Sequence, residues 1–200
     1  MQQSFSWTKL ATMHLEGGSS AAAIRDGRSI DTSMGFTPLE GLVMGTRCGD
    51  LDPAIVPYLM RKEGLDAEGI EELLNKKSGL KALSGISADT RVFVENLDDP
   101  RVRLTIDIFC YRVTKYVGAY VAALGGADAL IFGGGIGENA ALFREKICEG
   151  LEWLGIELDH GRNEGTINQE GLISKPGSRV AVWVIPTEEN LMVAREACRV

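Results

Sequence analysis

Residues 129–139 read Ala-Leu-Ile-Phe-Gly-Gly-Gly-Ile-Gly-Glu-Asn, an apolar strand that leads into a glycine cluster at the start of a helix. Glycine lacks a Cβ atom, so its backbone can approach an anion closely. The amides at the start of the helix point toward that anion, and the helix dipole favours its negative charge. The stretch predicts an α/β fold with a phosphate or nucleotide cradle, although this pattern alone is weakly specific.

Other glycine-centred turns strengthen this interpretation, because each carries polar groups suited to a phosphate, a metal ion or a ribose. They are His-Leu-Glu-Gly-Gly at 14–18, Gly-Thr-Arg-Cys-Gly-Asp at 45–50 and Ser-Gly-Ile-Ser-Ala-Asp-Thr-Arg at 84–91. Together with the glycines at 133–137, they predict one composite site.

Composition limits the class of protein. The 200 residues are 44% hydrophobic and show no linker or composition shift, so residues 1–200 are predicted to form a single domain with a substantial core. The net charge of −7, without a basic stripe, argues against nucleic acid and anionic membranes as partners. No apolar stretch has the form of a signal peptide or the length of a membrane span. The four cysteines form no CxxC pair, so reduced thiols in the cytoplasm are the simplest interpretation.

The predicted strands lie at both ends of the chain. Residues 9–15, 20–24 and 29–32 should form a meander, with an Asp26-Gly27 turn before its third strand. Two further strands are predicted at 129–132 and 179–185. Because helices separate these strands, we expect a sheet covered by helices, with ligands at the carboxyl ends of the strands.

The predicted helices begin at acid-proline or amphipathic signals. One should start at Asp52-Pro53 but be distorted or delayed by Pro57, and others are predicted over 67–76, 139–154 and from Glu188 onward. The longest begins at Asp99-Pro100, ends at Gly125-Gly126 and has apolar residues at spacings of three and four. These residues are Val102, Ile106, Phe109, Val113, Val117, Tyr120 and Leu124.

Arg47 is a candidate for phosphate chemistry, because its planar guanidinium can donate several hydrogen bonds to a phosphoryl group. The alternative is a surface arginine paired with Asp50 or Asp52. His14, at the end of a strand, either donates to a phosphate or is a structural residue with an internal partner.

Any metal ion should be a hard cation with oxygen ligands, because the chain contains only 2 histidines. Mg²⁺ that bridges nucleotide phosphates suits the available carboxylates. Glu188 and Glu189 either hold such an ion or simply favour the first turn of a helix. Asp89 and Arg91 either contact a ribose or base or form an ordinary salt bridge within a turn.

Residues 31–47, Asp-Thr-Ser-Met-Gly-Phe-Thr-Pro-Leu-Glu-Gly-Leu-Val-Met-Gly-Thr-Arg, closely resemble the signature of acetate kinases, and residues 132–139 and 185–189 continue the match in order. The resemblance runs from about Leu10 onward. It implies an α/β, ribonuclease-H-like domain with a mixed sheet flanked by helices, as in the superfamily of acetate and sugar kinases, heat-shock ATPases and actin. It further implies a homodimer.

The resemblance also implies reversible, Mg²⁺-dependent phosphoryl transfer between ATP and acetate, which gives ADP and acetyl phosphate. Arg47 would stabilise the transferring phosphoryl group, and Glu189 would correspond to the magnesium ligand. The implied ATP-binding residues are His14, Leu15, Glu16, Gly17, Gly18, Asp89, Thr90, Arg91, Gly135, Ile136, Gly137, Glu138 and Asn139.

The chain departs from the family pattern in length and in its phosphate loop. It resembles only the C-terminal half of such kinases, so activity of this chain alone is an open question. The loop reads His-Leu-Glu-Gly-Gly where His-Leu-Gly-Asn-Gly is usual, and the charge of Glu16 should weaken nucleotide binding unless its carboxylate faces solvent or Mg²⁺. The alternatives are a catalytically silent nucleotide-binding or dimerisation module and a fragment of a propionate or butyrate kinase.

Overall fold

The computed structural model describes residues 8–188, 193–195 and 197–198, and its first element is a three-stranded antiparallel meander. The strands are β1 (Lys9–His14), β2 (Ser20–Arg25) and β3 (Arg28–Thr32). Asp26 and Gly27 join β2 to β3 with φ angles of 53° and 76°. Positive φ at both positions is what a two-residue hairpin turn requires, so the predicted turn is confirmed.

Short helices follow the meander. They are α1 (Ile55–Glu63), α2 (Ala67–Lys76), α3 (Gly79–Ser84) and α4 (Thr90–Val94). The delay predicted from Pro57 is confirmed, because α1 begins only at Ile55 and Asp52 caps a preceding turn by accepting the Ala54 amide at 2.9 Å. Neither α3 nor α4 is predicted from sequence, since helices of 6 and 5 residues are too short for a clear periodic pattern.

The long central helix, α5 (Pro100–Leu124), has the bounds that the sequence predicts. Asp99 caps it by accepting the Arg101 amide at 2.7 Å, and Gly125 ends it in a left-handed conformation with φ 67°. Its apolar stripe lies in the core against β1, β2, α3 and α7 (Ala141–Cys148). All seven of the predicted stripe residues are buried.

The described strands form one mixed sheet, which is completed by β4 (Ala129–Gly133), β5 (Gly171–Leu172) and β6 (Ala181–Val184). Its order is β3-β2-β1-β4-β6-β5, and β4 runs parallel to both β1 and β6. His14 lies opposite Gly133, and Phe132 lies opposite Val184. The carboxyl ends of β1, β4 and β6 therefore meet at one edge of the sheet, where ligands bind in folds of this type.

The helix predicted over 139–154 is wrong in its bounds. Helical structure begins earlier, with α6 (Gly134–Asn139), breaks at Ala140 and continues as α7, which ends at Cys148. Gly150, with φ 79°, leads into a separate 3₁₀ turn at Glu152–Leu154. A further helix, α8 (His160–Gly165), lies between this turn and β5. The predicted last strand is shorter than expected, and most of the predicted final helix from Glu188 lies outside the described residues.

The longest helix in the described part of the chain, α5, has 25 residues. Neither it nor any other described helix is apolar enough over sufficient length to cross a membrane.

Candidate functional site

The loop after β1 and the glycine turn after β4 are joined through the backbone of Leu15. The Leu15 amide donates to the Gly133 carbonyl at 2.8 Å, and the Leu15 carbonyl accepts from the Ile136 amide at 2.8 Å and the Gly137 amide at 3.3 Å. The Leu15 side chain is fully buried. These bonds bring residues 14–18 and 133–137 together, as the composite-site prediction requires.

Arg47 lies over this phosphate loop. The Gly45 amide donates to the Gly17 carbonyl at 2.9 Å, and a Cβ atom added to Gly18 would lie 3.4 Å from Arg47 Nη1. The contacts of Arg47 Nη1 within the chain are long, at 3.5 Å to the Pro38 carbonyl and 3.5 Å to Met44 Sδ. None of the salt bridges among the described residues involves Arg47. Its guanidinium is thus held beside the loop with donors available for an anion.

Asp50 and Asp52, the alternative partners considered for Arg47, have other contacts, and Asp52 accepts from the Ala54 amide at 2.9 Å. Asp50 accepts from the Gly41 amide at 2.8 Å, from the Tyr116 hydroxyl at 2.8 Å and from Arg112. Desolvation, followed by the bond to Asp50, raises the pKa of Tyr116, so the phenol stays protonated and donates. These contacts anchor the Arg47 loop on α5.

An open cavity of about 860 Å³ extends from the phosphate loop to α4 and the glycine turn. Its volume is within the range of small-molecule sites. Of the sequence-predicted residues, it is lined by Glu16, Gly17, Asp89, Thr90, Arg91, Gly135, Ile136 and Asn139. A second cavity, of about 540 Å³, lies along α7 and contains none of the predicted residues.

Asp89 and Arg91 form a salt bridge at the mouth of the cavity. Asp89 Oδ2 accepts from Arg91 Nη2 at 2.6 Å, and Asp89 Oδ1 accepts from the Arg91 amide at 2.9 Å at the start of α4. The hydrogen bonds from Arg91 lower the pKa of Asp89. The turn salt bridge is therefore present, and the exposed Arg91 side chain still faces the solvent side of the cavity.

The negative charge of Glu16 also lies at this cavity. Its side chain is 58% exposed, and its Oε2 atom is 3.5 Å from His14 Nε2. Its Oε1 atom would lie 3.7 Å from a Cβ atom added to Gly135. The carboxylate thus sits between the phosphate loop and the glycine turn.

Glu138, one of the implied ATP-binding residues, does not line the cavity. It is only 8% exposed, and its Oε1 atom accepts from the Gly134 amide at 2.9 Å and from the amide and hydroxyl of Thr187 at 2.9 and 3.0 Å. Gly137 is also buried, and its carbonyl accepts from Arg144 at 2.9 Å. These two residues face the interior of the protein from α6.

Arg144 supports the glycine turn and is absent from the sequence predictions. Its guanidinium is fully buried and donates to the Gly137 carbonyl, to Asn163 at 2.8 and 2.6 Å and to the Thr166 carbonyl at 2.8 Å. Desolvation lowers its pKa to about 10. Arginine is rarely buried completely, so no sequence signal distinguishes Arg144 from a surface residue.

The predicted metal ligand, Glu189, lies outside the described residues, and its neighbour Glu188 is exposed beyond the end of β6. Within the described residues, no group of three or more histidine, cysteine, aspartate or glutamate side chains is arranged to hold a metal ion.

The mixed sheet with flanking helices is the fold of acetate and sugar kinases, heat-shock ATPases and actin. The loop at 14–18 and the glycine turn at 133–137 lie at the carboxyl ends of β1 and β4, the edge where ligands are expected. Residues 2–195 match the model of the acetokinase family, and the chain belongs to that family.

Individual relatives agree with this membership. The chain is 56% identical over 195 residues to an acetate kinase of Solibacter usitatus and 54% identical over 194 residues to one of Chloroherpeton thalassium. These matches cover 96% and 95% of this chain but 47% and 46% of the relatives. The chain thus spans about half the length of the curated relatives that it matches.

Solved structures are similar over the same extent. The crystal structure of Porphyromonas gingivalis acetate kinase matches with a TM-score of 0.92 and 48% identity. This match covers 94% of our chain and 48% of the chain in that structure. The crystal structure of a propionate kinase from Francisella tularensis matches with a TM-score of 0.88 and 43% identity. This match covers 95% of our chain and 49% of the chain in that structure.

Proposed function

We propose that this chain supplies the nucleotide-binding and phosphoryl-stabilising half of an acetate kinase, which transfers a phosphoryl group reversibly between ATP and acetate. The observation that carries the proposal is the position of Arg47 over the phosphate loop, with no carboxylate partner among the described residues. A buried or half-buried cation with unused donors favours a bound anion.

In this proposal each part of the site has a separate task. Gly17 and Gly18 let phosphates approach the loop backbone, while Gly135, Ile136 and Asn139 hold the adenosine side in the cavity. Arg47 neutralises charge on the transferring phosphoryl group. Positioning and charge neutralisation account for most of the catalysis of phosphoryl transfer, so these tasks suit the reaction.

The residues fit a magnesium ion that is bound mainly through nucleotide phosphates. Mg²⁺ keeps several waters and commonly uses one or two carboxylates, and Glu188 and Glu189 follow β6 in the sequence. We propose Glu189 as the protein ligand. When bound, the ion would offset the negative charge of the phosphates.

The acid that receives the phosphoryl group is also part of the proposal. The names of the relatives favour acetate, whereas the Francisella tularensis structure is of a propionate kinase. The residues that would select the acid belong mostly to the half of the relatives that this chain does not match. Propionate or butyrate is therefore retained as an alternative substrate.

We further propose a cytoplasmic homodimer. The four cysteines are all free, which agrees with a reducing compartment. Leu104 and Tyr111 lie two turns apart on α5 and are 58% and 64% exposed, so two large apolar side chains of this helix point away from the core.

The role of Arg47 can be tested by calorimetry with Mg·ADP and with Mg·ADP plus aluminium fluoride, which resembles a transferring phosphoryl group. In the Arg47→Ala variant we expect binding of the aluminium fluoride complex to weaken by about 100-fold, and binding of Mg·ADP by much less. Arg47→Lys should recover only part of the loss, since it lacks the planar fork. Arg61→Ala, an exposed change on α1, is the matched control.

Equal weakening of both complexes would remove Arg47 from a phosphoryl-stabilising role. An assay in which acetyl phosphate is trapped as the hydroxamate then distinguishes an acetate kinase from a silent nucleotide-binding module. Turnover when this chain is joined to the N-terminal half of an acetate kinase supports the kinase, whereas tight Mg·ATP binding without turnover by that joined protein supports the silent nucleotide-binding module.

A further inference from the structure

Glu138 connects two segments that are far apart in sequence. One carboxylate oxygen, Oε1, accepts from the Gly134 amide in the glycine turn and from both donors of Thr187 beyond β6. Residues 138 and 187 are separated by 49 positions. A single oxygen with three short contacts, at 2.9, 2.9 and 3.0 Å, fixes the distance between these segments.

The burial of Glu138 makes these bonds costly to break. Glu138 is only 8% exposed, and no salt bridge among the described residues neutralises its carboxylate. Bonds to a charged acceptor are stronger than those between neutral groups, and a buried charge that loses its donors is strongly unfavourable. Separation of Thr187 from the glycine turn is therefore disfavoured.

The other contacts of α6 are independent of Thr187. Arg144 holds the Gly137 carbonyl, and Leu15 holds the Ile136 and Gly137 amides. Glu138 is thus the side chain through which the glycine turn reaches the exit of β6. Thr187 is followed by Glu188 and then by Glu189, the proposed metal ligand.

We propose that Glu138 is a positioning residue that couples the nucleotide-binding turn to the exit of β6. A nucleotide that orders the glycine turn then also holds Thr187, and so fixes the start of the acidic segment. This inference rests on the proposed nucleotide site.

Hydrogen exchange at the Thr187 amide, measured with and without saturating Mg·ADP, tests the coupling without any catalytic readout. Thr187 does not line the cavity, so slower exchange there reports transmission from the nucleotide site. Variants of Glu138 then separate the path through its carboxylate from the direct approach of Thr187 Cγ2 to Gly133. In the unmodified chain and in the control Glu149→Gln, an exposed change on the loop after α7, nucleotide should slow exchange about fivefold or more. Glu138→Ala should abolish this effect.

Two milder variants keep the test decisive if Glu138→Ala does not fold. Glu138→Gln retains an acceptor oxygen without the charge, and Thr187→Val retains the amide without the hydroxyl. Each should keep part of the nucleotide effect. A full effect in folded Glu138→Gln and Thr187→Val chains would overturn the inference.

Failure of the proposed function gives a different result. If Mg·ADP does not bind to the unmodified chain, calorimetry shows this directly and the nucleotide site itself is wrong, and the coupling with it. If Mg·ADP binds but the Thr187 amide exchanges equally fast with and without it, the coupling alone is wrong.

Discussion

Arg47 and Asp50 lie three positions apart and have different partners in the fold. Asp50 is neutralised by Arg112 and bonded to Tyr116, 62 and 66 residues further along the chain. Sequence alone leaves open whether Arg47 pairs with Asp50, because such distant partners give no local signal. Sequence likewise gives no local signal for Arg144, whose buried guanidinium donates to the distant residues Asn163 and Thr166.

Glu16 is expected to oppose nucleotide binding, since its carboxylate lines the same cavity as the phosphate loop. Replacement by Gln should increase affinity for Mg·ADP by about threefold to tenfold, as expected for loss of a like-charge contact of about 1 kcal/mol. Glu16→Gly should act similarly. Calorimetric titration at low ionic strength measures the change, and added salt should reduce it.

The exposed change Glu68→Gln on α2 is the control for net charge in that titration. It should leave the affinity unaltered. Weaker binding by Glu16→Gln would contradict the electrostatic argument and would indicate that the carboxylate assists the ligand.

At the scale of the secondary-structure element, the conformation of the glycine turn depends on Gly134. Its φ angle is 75°, and a Cβ atom there would lie 2.7 Å from the Leu15 carbonyl oxygen. Gly134→Ala should therefore destabilise the chain by about 2 kcal/mol or more, through backbone strain and displacement of Leu15. Urea denaturation measures the free energy of unfolding, and calorimetry should show weaker binding of Mg·ADP.

Gly150→Ala is a matched control for this change. Gly150 has a similar φ angle of 79° but no atom within 4 Å of an added Cβ. Only the strain of about 1 kcal/mol should remain, without an effect on nucleotide binding. Equal effects of the two substitutions would show that contact with Leu15 does not matter.

The elements with explicit end signals are those that sequence predicts best. Asp99-Pro100 and Gly125 mark both ends of α5, and the Asp26-Gly27 turn marks the meander. The break between α6 and α7 at Ala140 has no such signal, because alanine favours helix. There the tertiary bonds of Leu15, Glu138 and Arg144 override local preference.

At the scale of the whole molecule, sequence predicts that the glycine-centred turns converge, and the parallel pairing of β1, β4 and β6 explains why. It does not predict that Glu138 faces the interior. The Glu138 carboxylate is buried where the Gly134 amide and the two donors of Thr187 meet, and Thr187 is too distant in sequence to give a local signal.

The proposed dimer belongs to the same scale. Sedimentation at micromolar concentration should give about twice the chain mass of 21.6 kDa. Leu104→Arg should give a monomer, because it replaces one of the two exposed apolar side chains of α5 with a charge. A monomeric unmodified chain, or a Leu104→Arg chain that remains dimeric through other contacts, would contradict this surface as the interface.

The central claim is that the cavity between the phosphate loop and the glycine turn binds a nucleotide. Titration of the ¹⁵N-labelled chain with Mg·ADP tests it most directly, because glycine amides give resolved signals. We predict the largest shifts at the amides of Gly17, Gly18 and Gly135. Absence of shifts at saturating nucleotide, or shifts confined to the second cavity around His160 and Lys175, would contradict the account.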